Sequence, residues 1–276
     1  HYLLLQLGRP VPATTQYWDL DFSKRTRGSQ AELSEELLRL MRQGVTSRMV
    51  ADVPLGAFLS GGVDSSSVVA LMAEASRQPI KTCSIGFDVG ALDESEYAET
   101  VARRFATDHR SRKVAADDFS LIDTLAYHFD EPFADASALP TYRVCELARE
   151  QVTVALSGDG ADEALAGYRR HVFHHKEEQL RGLLPQNVRG PLFGTLGRLY
   201  PKADWAPRPL RAKTTLLSLA RTGPEGYTDA VSLTNAEQRH RLYSQRMRGA
   251  LDGYRGEAHM ENLMAKAPAQ SGLDQA

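Results

Sequence analysis

The sequence predicts an α/β fold: a doubly wound, mostly parallel sheet followed by a mostly α-helical C-terminal part. Three observations lead there. Between residues 29 and 168, short apolar runs alternate with helical-period stretches of roughly ten to fifteen residues, the pattern of βαβ units. Two of those runs, 55–59 and 152–156, each open into a polar turn with glycine, SGGVDSS and SGDGADE. Beyond Tyr168 strand signals fade, and basic, aromatic and proline-rich segments take over.

Taken in order, residues 1–7 (HYLLLQL) read as a short strand, and the prolines at 10 and 12 read as a turn. Tyr17, Trp18 and Phe22 mark a linker held to a surface by aromatics. Residues 29–49 have a helical period, with Leu33, Leu37, Leu40, Met41 and Val45 on one half-buried stripe. A strand at 55–59 leads through SGGVDSS to a helix at 65–75, and a second strand follows at 80–87. The next helix, 93–107, starts acidic and turns basic, which suits the helix dipole, with Tyr97, Val101 and Phe105 on one stripe. A third strand is expected at 110–115, a helix capped by Asp117 at 119–129, a loop at 130–137, a helix at 141–150 and a fully apolar, buried strand at 152–156. Helices are expected at 171–184, 213–220 and 235–254. This divides the chain into 1–28 as the end of a preceding domain and linker, 29–168 as the α/β core, and 169–276 as a helical part.

Composition narrows the function classes. A net charge of -2 and a pI near 6.5 give no basic footprint for nucleic acid or an acidic membrane surface. No run approaches the roughly 20 apolar residues of a membrane span, and YLLLQL is too short for a signal peptide. Cys83 and Cys145 lie in apolar runs and read as buried thiols in a reducing, cytoplasmic setting.

Ligands of parallel sheets bind beyond the carboxyl ends of the strands, where Ser60 and Ser157 stand. Gly61 and Gly62 can take positive φ and let the backbone approach a ligand, and the N–H groups of the following first helical turn attract an anion. Ser60, Ser65 and Ser66 add hydroxyl donors. Asp64 would repel a bare phosphate, but a Mg²⁺ ion between the two removes the conflict. The loop lacks the lysine of GxxxxGK[ST], which argues for a grip on pyrophosphate over γ-phosphate hydrolysis. The plainer reading makes SGG a turn and Asp64 a helix cap. Ser157, Gly158, Asp159, Asp162 and Glu163 form the second loop, and Asp162 could share the metal with Asp64. Asp130 and Glu131 mark a third acidic site, and His109 reads equally as a site histidine or a structural one. His171, His174 and His175 lack the Cys or Glu pattern of a metal cluster.

SGGVDSS is similar to the pyrophosphate loop, SGGxDS, of the ATP-pyrophosphatase superfamily. The ordered blocks VPLGAFLSGGVDSSSVVALM, SIGFD, DESEYAETVARRFATDH, DEPFADASALPTY and LSGDGADEALAGYRR resemble the synthetase domain of glutamine-dependent asparagine synthetases. A branch tied to exopolysaccharide assembly and protein sorting has closely similar blocks, as do some β-lactam and related amide-forming synthetases.

The resemblance implies an adenine nucleotide alpha hydrolase-like fold. It also implies ATP and Mg²⁺, with aspartate activated as an acyl-adenylate and then attacked by ammonia drawn from glutamine. It implies that Ser60, Gly61, Gly62, Asp64, Ser65 and Ser66 grip pyrophosphate and metal, and that Phe58 and Ile85 line the adenine pocket. Ser157, Gly158 and Asp159 would face the adenylate or the substrate, and Asp162 would be the second metal carboxylate. It further implies a glutaminase domain as partner and admits a homodimer. The family's DRASMA…EVRxPFLD segment and its lysine have no counterpart here, and neither Lys213 nor Lys266 stands in the matching pattern. The expectation is a chain cut short at both ends. Its rivals are an adenylating amidotransferase for a sugar or secondary metabolite, and a non-catalytic nucleotide-binding remnant.

Overall fold

The computed structural model describes residues 1–21, 26–90, 93–115, 119–131, 133, 135–202, 205, 207 and 211–266. The chain divides into two compact units, Arg27–Leu165, and His1–Thr26 with Ala166–Ala276.

The Arg27–Leu165 unit is the α/β part. Helix α1 (Gln30–Arg48) starts with a capping box: the Ser29 hydroxyl accepts from the Glu32 N–H, and the Glu32 carboxylate accepts from the Ser29 N–H. Strand β1 (Leu55–Phe58) runs through the glycine loop into α2 (Val63–Ala75). Next come β2 (Lys81–Phe87), α3 (Ser95–Arg104) and β3 (Asp108–Val114). A 3-10 turn at Phe119–Leu121 leads into α4 (Ile122–Phe129), then α5 (Ala138–Arg149), β4 (Val154–Leu156) and the single turn α6 (Ala161–Ala164). Pro132 and the cap expected at Asp117 lie outside the described residues.

All strand pairs are parallel, in the order β3-β2-β1-β4. The two faces of the sheet are covered by different helices. Ala57 and Leu59 pack with Val69 and Met72 of α2, Ala98 and Ala102 of α3 and Val45 of α1. Phe58, between them in sequence, points the other way and packs with Cys83 and with Leu147 of α5. This is the doubly wound arrangement. The chain winds outward from β1 to β2 and β3, then returns to the other side of β1 with β4. The order therefore reverses between β1 and β4, and open α/β sheets bind ligands at such a reversal.

Several expectations need correction. On α1 only Val45 is buried and Met41 partly so, while Leu33, Leu37 and Leu40 are exposed, because α2 covers only the C-terminal part of the stripe. On α3 the face against the sheet is Ala98, Val101 and Ala102, and Tyr97 is exposed. Small residues let that helix come close. The strand expected at 152–156 is shorter and lies at an edge of the described sheet, so Val154 is exposed. Cys83 is buried, with burial pushing its thiol up to about 11, but Cys145 is exposed on α5. The strand expected at 1–7 is reduced to one antiparallel bridge, Tyr2 to Thr15. Among the described residues no further strand joins this pair, and Leu3, Leu4, Leu5 and Leu7 are exposed.

The other unit is built from helices: α7 (Arg169–Arg181), α8 (Gln186–Leu199), α9 (Lys213–Leu219), α10 (Gly223–Val231), α11 (Ala236–Leu242), α12 (Gln245–Leu251) and α13 (Gly256–Lys266). The single helix expected at 235–254 is two, because Ser244 caps a new start at α12. Two buried arginines hold the end of α9. Arg181 of α7 donates to the Ser218 carbonyl at 2.9 Å and pairs with Glu177 and Glu178, while Arg189 of α8 donates to the Leu219 and Arg221 carbonyls. Cations there satisfy the orphan carbonyls and complement the negative end of the helix. Among the described residues no helix is long and apolar enough to cross a membrane.

Candidate functional site

The first loop is organised by its serines. The Ser60 hydroxyl lies 2.9 Å from that of Ser65 and accepts from the Gly62 N–H at 3.3 Å. The Ser65 hydroxyl accepts from the Ser60 N–H at 3.2 Å and donates to the Gly62 carbonyl at 3.3 Å. These short-range bonds tie the turn to the start of α2, and both serines are thereby committed to loop shape. Ser66 differs: its hydroxyl is buried and meets no partner among the described residues.

Gly61 has φ of +83°, and a Cβ there would sit 2.5 Å from the Ala98 N and from the Tyr97 Cβ. No other residue type could take this conformation and this approach to α3 together. Gly62 does not use the same freedom: it lies at φ -67° and ψ 163°, ordinary extended backbone. Its missing side chain leaves open space, since a Cβ would meet only the Ser60 hydroxyl, at 3.4 Å. Gly62 is also the N-cap of α2 and makes no side-chain cap. Asp64 therefore lies inside the first turn and does not cap the helix, which removes the plainer reading of that carboxylate.

The second loop leaves β4, which pairs with β1 in the register Ala57 to Leu156. Ser60 and Ser157 thus emerge from adjacent strands at the point where the strand order reverses. The loops touch. A Cβ on Gly158 would lie 2.6 Å from the Ser65 N, 2.8 Å from the Asp64 carbonyl carbon and 3.1 Å from the Asp64 Cβ. The Asp159 N–H donates to the Ser157 hydroxyl at 3.3 Å, and Asp162 stands in the first turn of α6. Phe58 and Ile85 are both partly buried, and strand alternation puts Ile85 on the face that Phe58 shares with Cys83.

The donor set fits a phosphate group: an uncapped first turn of α2, the unpartnered Ser66 hydroxyl and the space beside Gly62. Among the described residues no three His, Cys, Asp or Glu side chains converge to hold a metal. Mg²⁺ bound through phosphate oxygens needs only one or two carboxylates, so Asp64 and Asp162 suffice in kind.

His109 proves structural in its bonding. Its Nδ1 lies 2.9 Å from the Thr82 hydroxyl and its Nε2 3.2 Å from the Ser84 hydroxyl, both on the neighbouring strand. Burial holds its pKa below the ordinary value. The unfolded chain therefore takes up that proton first as pH falls. Stability is expected to be full above about pH 6.5 and to decline below it, in a denaturant-midpoint series from neutral to acid pH. His109→Gln should flatten the decline while costing about 1–2 kcal/mol at neutral pH.

The contact of Ala98 with Gly61 was not foreseen from the sequence. Its signal was present as two alanines four apart, Ala98 and Ala102, in ESEYAETVARR.

The fold and the paired loops define a doubly wound α/β domain whose two glycine loops meet at its switch point. The family model described as asparagine synthase matches residues 36–274, and the chain belongs to that family. It is 44% identical over 169 residues to a protein of Methanocaldococcus jannaschii named putative asparagine synthetase (glutamine-hydrolyzing) 2, covering 60% of this chain and 32% of that one. It is 35% identical over 153 residues to asparagine synthetase (glutamine-hydrolyzing) 1 of Bacillus subtilis, covering 55% and 24%. Amidase chyE of Penicillium rubens is 30% identical over 190 residues, covering 61% and 28%. The chain thus spans about a quarter to a third of the length of these relatives.

Proposed function

We propose that the α/β unit binds ATP and uses it to activate a carboxylate for amide formation. Aspartate is the first candidate. Its side-chain carboxylate oxygen attacks the α-phosphorus, pyrophosphate leaves, and β-aspartyl-AMP forms. Ammonia, supplied from glutamine by a glutaminase domain, then attacks the acyl carbon. The attacking nitrogen gives up a proton to solvent, AMP departs with the bonding pair, and asparagine results. The observation that carries the reading is the seating of Gly158 on Asp64 and Ser65 at the strand-order reversal. It brings two loops of matching chemistry into one crevice.

In this reading the α2 N–H groups and the Ser66 hydroxyl receive the pyrophosphate, while Ser60 and Ser65 hold the loop in shape. Asp64 and Asp162 would hold Mg²⁺, which when bound supplies the positive charge the leaving pyrophosphate needs. Ser157, Gly158 and Asp159 face the adenylate, and Phe58 and Ile85 border the adenine. The domain limits at 28 and 168, a cytoplasmic setting and assignment to the exopolysaccharide and protein-sorting branch belong to the same proposal.

The similarity to an amidase of a different name supports a second reading, an adenylating amidotransferase for another carboxylate. Exchange of labelled pyrophosphate into ATP tests both. Exchange that requires aspartate and Mg²⁺ supports the first; exchange only with another carboxylate supports the second. No exchange in the full gene product with any carboxylate sinks both and leaves the nucleotide-binding remnant.

A further inference from the structure

The helical unit contains a cavity of about 710 Å³, within the usual size range of small-molecule sites. It is bordered by α7, α9 and α10, with Arg170, Phe173, His174, Lys213, Leu217 and Tyr227 on its walls. None of these residues takes part in the loops that carry the proposed function.

His174 is the unusual member. It is 3% exposed, and neither Nδ1 nor Nε2 meets a hydrogen-bond partner among the described residues. Its ring lies edge-on to that of Tyr227, with centroids 5.1 Å apart. Buried polar atoms are nearly always partnered, and leaving one unpaired costs about 1–3 kcal/mol. A partnerless ring that lines a cavity gains a hydrogen bond when a small turn of the ring uncovers one of its buried nitrogens to an entering group.

Charge indicates what that is. Two carboxylates line the cavity, and both are already matched. Glu177 accepts from Arg181 at 3.0 Å and from the Ser218 hydroxyl at 2.7 Å, and Asp229 pairs with Arg221. The cations are matched differently. Arg170 lies 4.0 Å over the Tyr168 ring, and Lys213 donates to the Tyr200 carbonyl at 3.0 Å. Neither contact brings a counter-charge. The wall therefore presents positive charge beside an imidazole with bonds to make, on apolar surface from Phe173 and Leu217. Burial favours the neutral form of His174, which has one N–H to donate.

We propose that this cavity is a second ligand site, taking a small molecule that carries an oxyanion, carboxylate or phosphate, with His174 hydrogen-bonding the bound group and Lys213 and Arg170 supplying the charge. The oxyanion accepts from the His174 N–H, and an apolar body lies against Phe173 and Leu217.

The test titrates the full chain, labelled with ¹⁵N in its histidine rings, with inorganic phosphate and separately with benzoate. The His174 ring resonances, assigned with His174→Phe, should move saturably with at least one probe. A response to phosphate alone identifies a phosphate-bearing ligand, and a response to benzoate alone a carboxylate. Lys213→Ala should weaken the responding probe tenfold or more, while Asp64→Ala should leave it unchanged. If His174→Phe does not fold, His174→Gln serves for assignment. Unmoved His174 resonances with both probes overturn the site, as does equal affinity in Lys213→Ala. Loss of the response in Asp64→Ala also overturns it, since the binding would then belong to the loops.

Discussion

An Asp64→Ala chain is expected to lose pyrophosphate exchange into ATP by two to three orders of magnitude, while folding as the parent does. The size follows from the role. A carboxylate that holds the metal neutralising a leaving pyrophosphate acts where charge develops, and such groups contribute about 3–4 kcal/mol to the barrier. The intact fold follows from position. Asp64 lies in the first turn of α2, it is not the cap of that helix, and the loop's own hydrogen bonds run through Ser60, Gly62 and Ser65. Removing the carboxylate breaks none of them. Asp64→Asn separates charge from shape, and excess Mg²⁺ should partly restore its exchange, which it cannot do for alanine. If Asp64→Ala exchanges at the parent rate, the metal role is wrong. If it unfolds, the carboxylate is structural after all.

Gly158→Ala is the second large effect, and it acts by shape alone. One methyl group would sit 2.6 Å from the Ser65 N and 2.8 Å from the Asp64 carbonyl carbon. Both are backbone atoms of a helix start and cannot swing aside as a side-chain end can. The second loop must lift, at a cost of about 1–3 kcal/mol. Lifting it parts Gly158 from Asp64 and Ser65, so exchange should fall at least tenfold even where the protein stays folded. Gly62→Ala is the matched control. It has ordinary φ and only the Ser60 hydroxyl nearby at 3.4 Å, so its stability should change by less than about 1 kcal/mol. Its exchange should nonetheless fall, because the methyl fills the space left for ligand. Thermal unfolding and exchange on the two variants separate these effects. Equal stability of the two would contradict the close seating of the loops.

The architecture was legible because it rests on local patterns. Alternating apolar runs and helical periods follow from which face each element buries, and the loops announce themselves by glycine beside acid and hydroxyl. Strand order was not legible. Nothing local in VTVAL says that it lies beside β1 and not beyond β3, since pairing of distant strands is settled by the whole packed unit. For the same reason Val154 read as buried when it stands at an edge. Helical spacing puts Tyr97 on one stripe with Val101 and Phe105, but the packed face of that helix is set by Ala98 and Ala102 against Ala57 and Leu59, and Tyr97 is exposed. Helix α10 had a readable start that went unused: TGPE makes a capping box of Thr222 and Glu225 with a proline in the first turn. Of the site itself, the residue types and the loop positions were legible. That Ser60 and Ser65 spend their hydroxyls on each other while Ser66 keeps its own depends on atomic geometry, and no spacing rule contains it.

The central claim is that the two loops form one crevice for a metal-bound pyrophosphate. Backbone amide resonances of the chain, followed during titration with pyrophosphate with and without Mg²⁺, test it most directly. The account predicts saturable shifts at residues 60–66 and 157–159 together, with a single affinity that Mg²⁺ strengthens and Asp64→Ala removes. Shifts confined to one loop, or an affinity indifferent to both Mg²⁺ and Asp64, would contradict it.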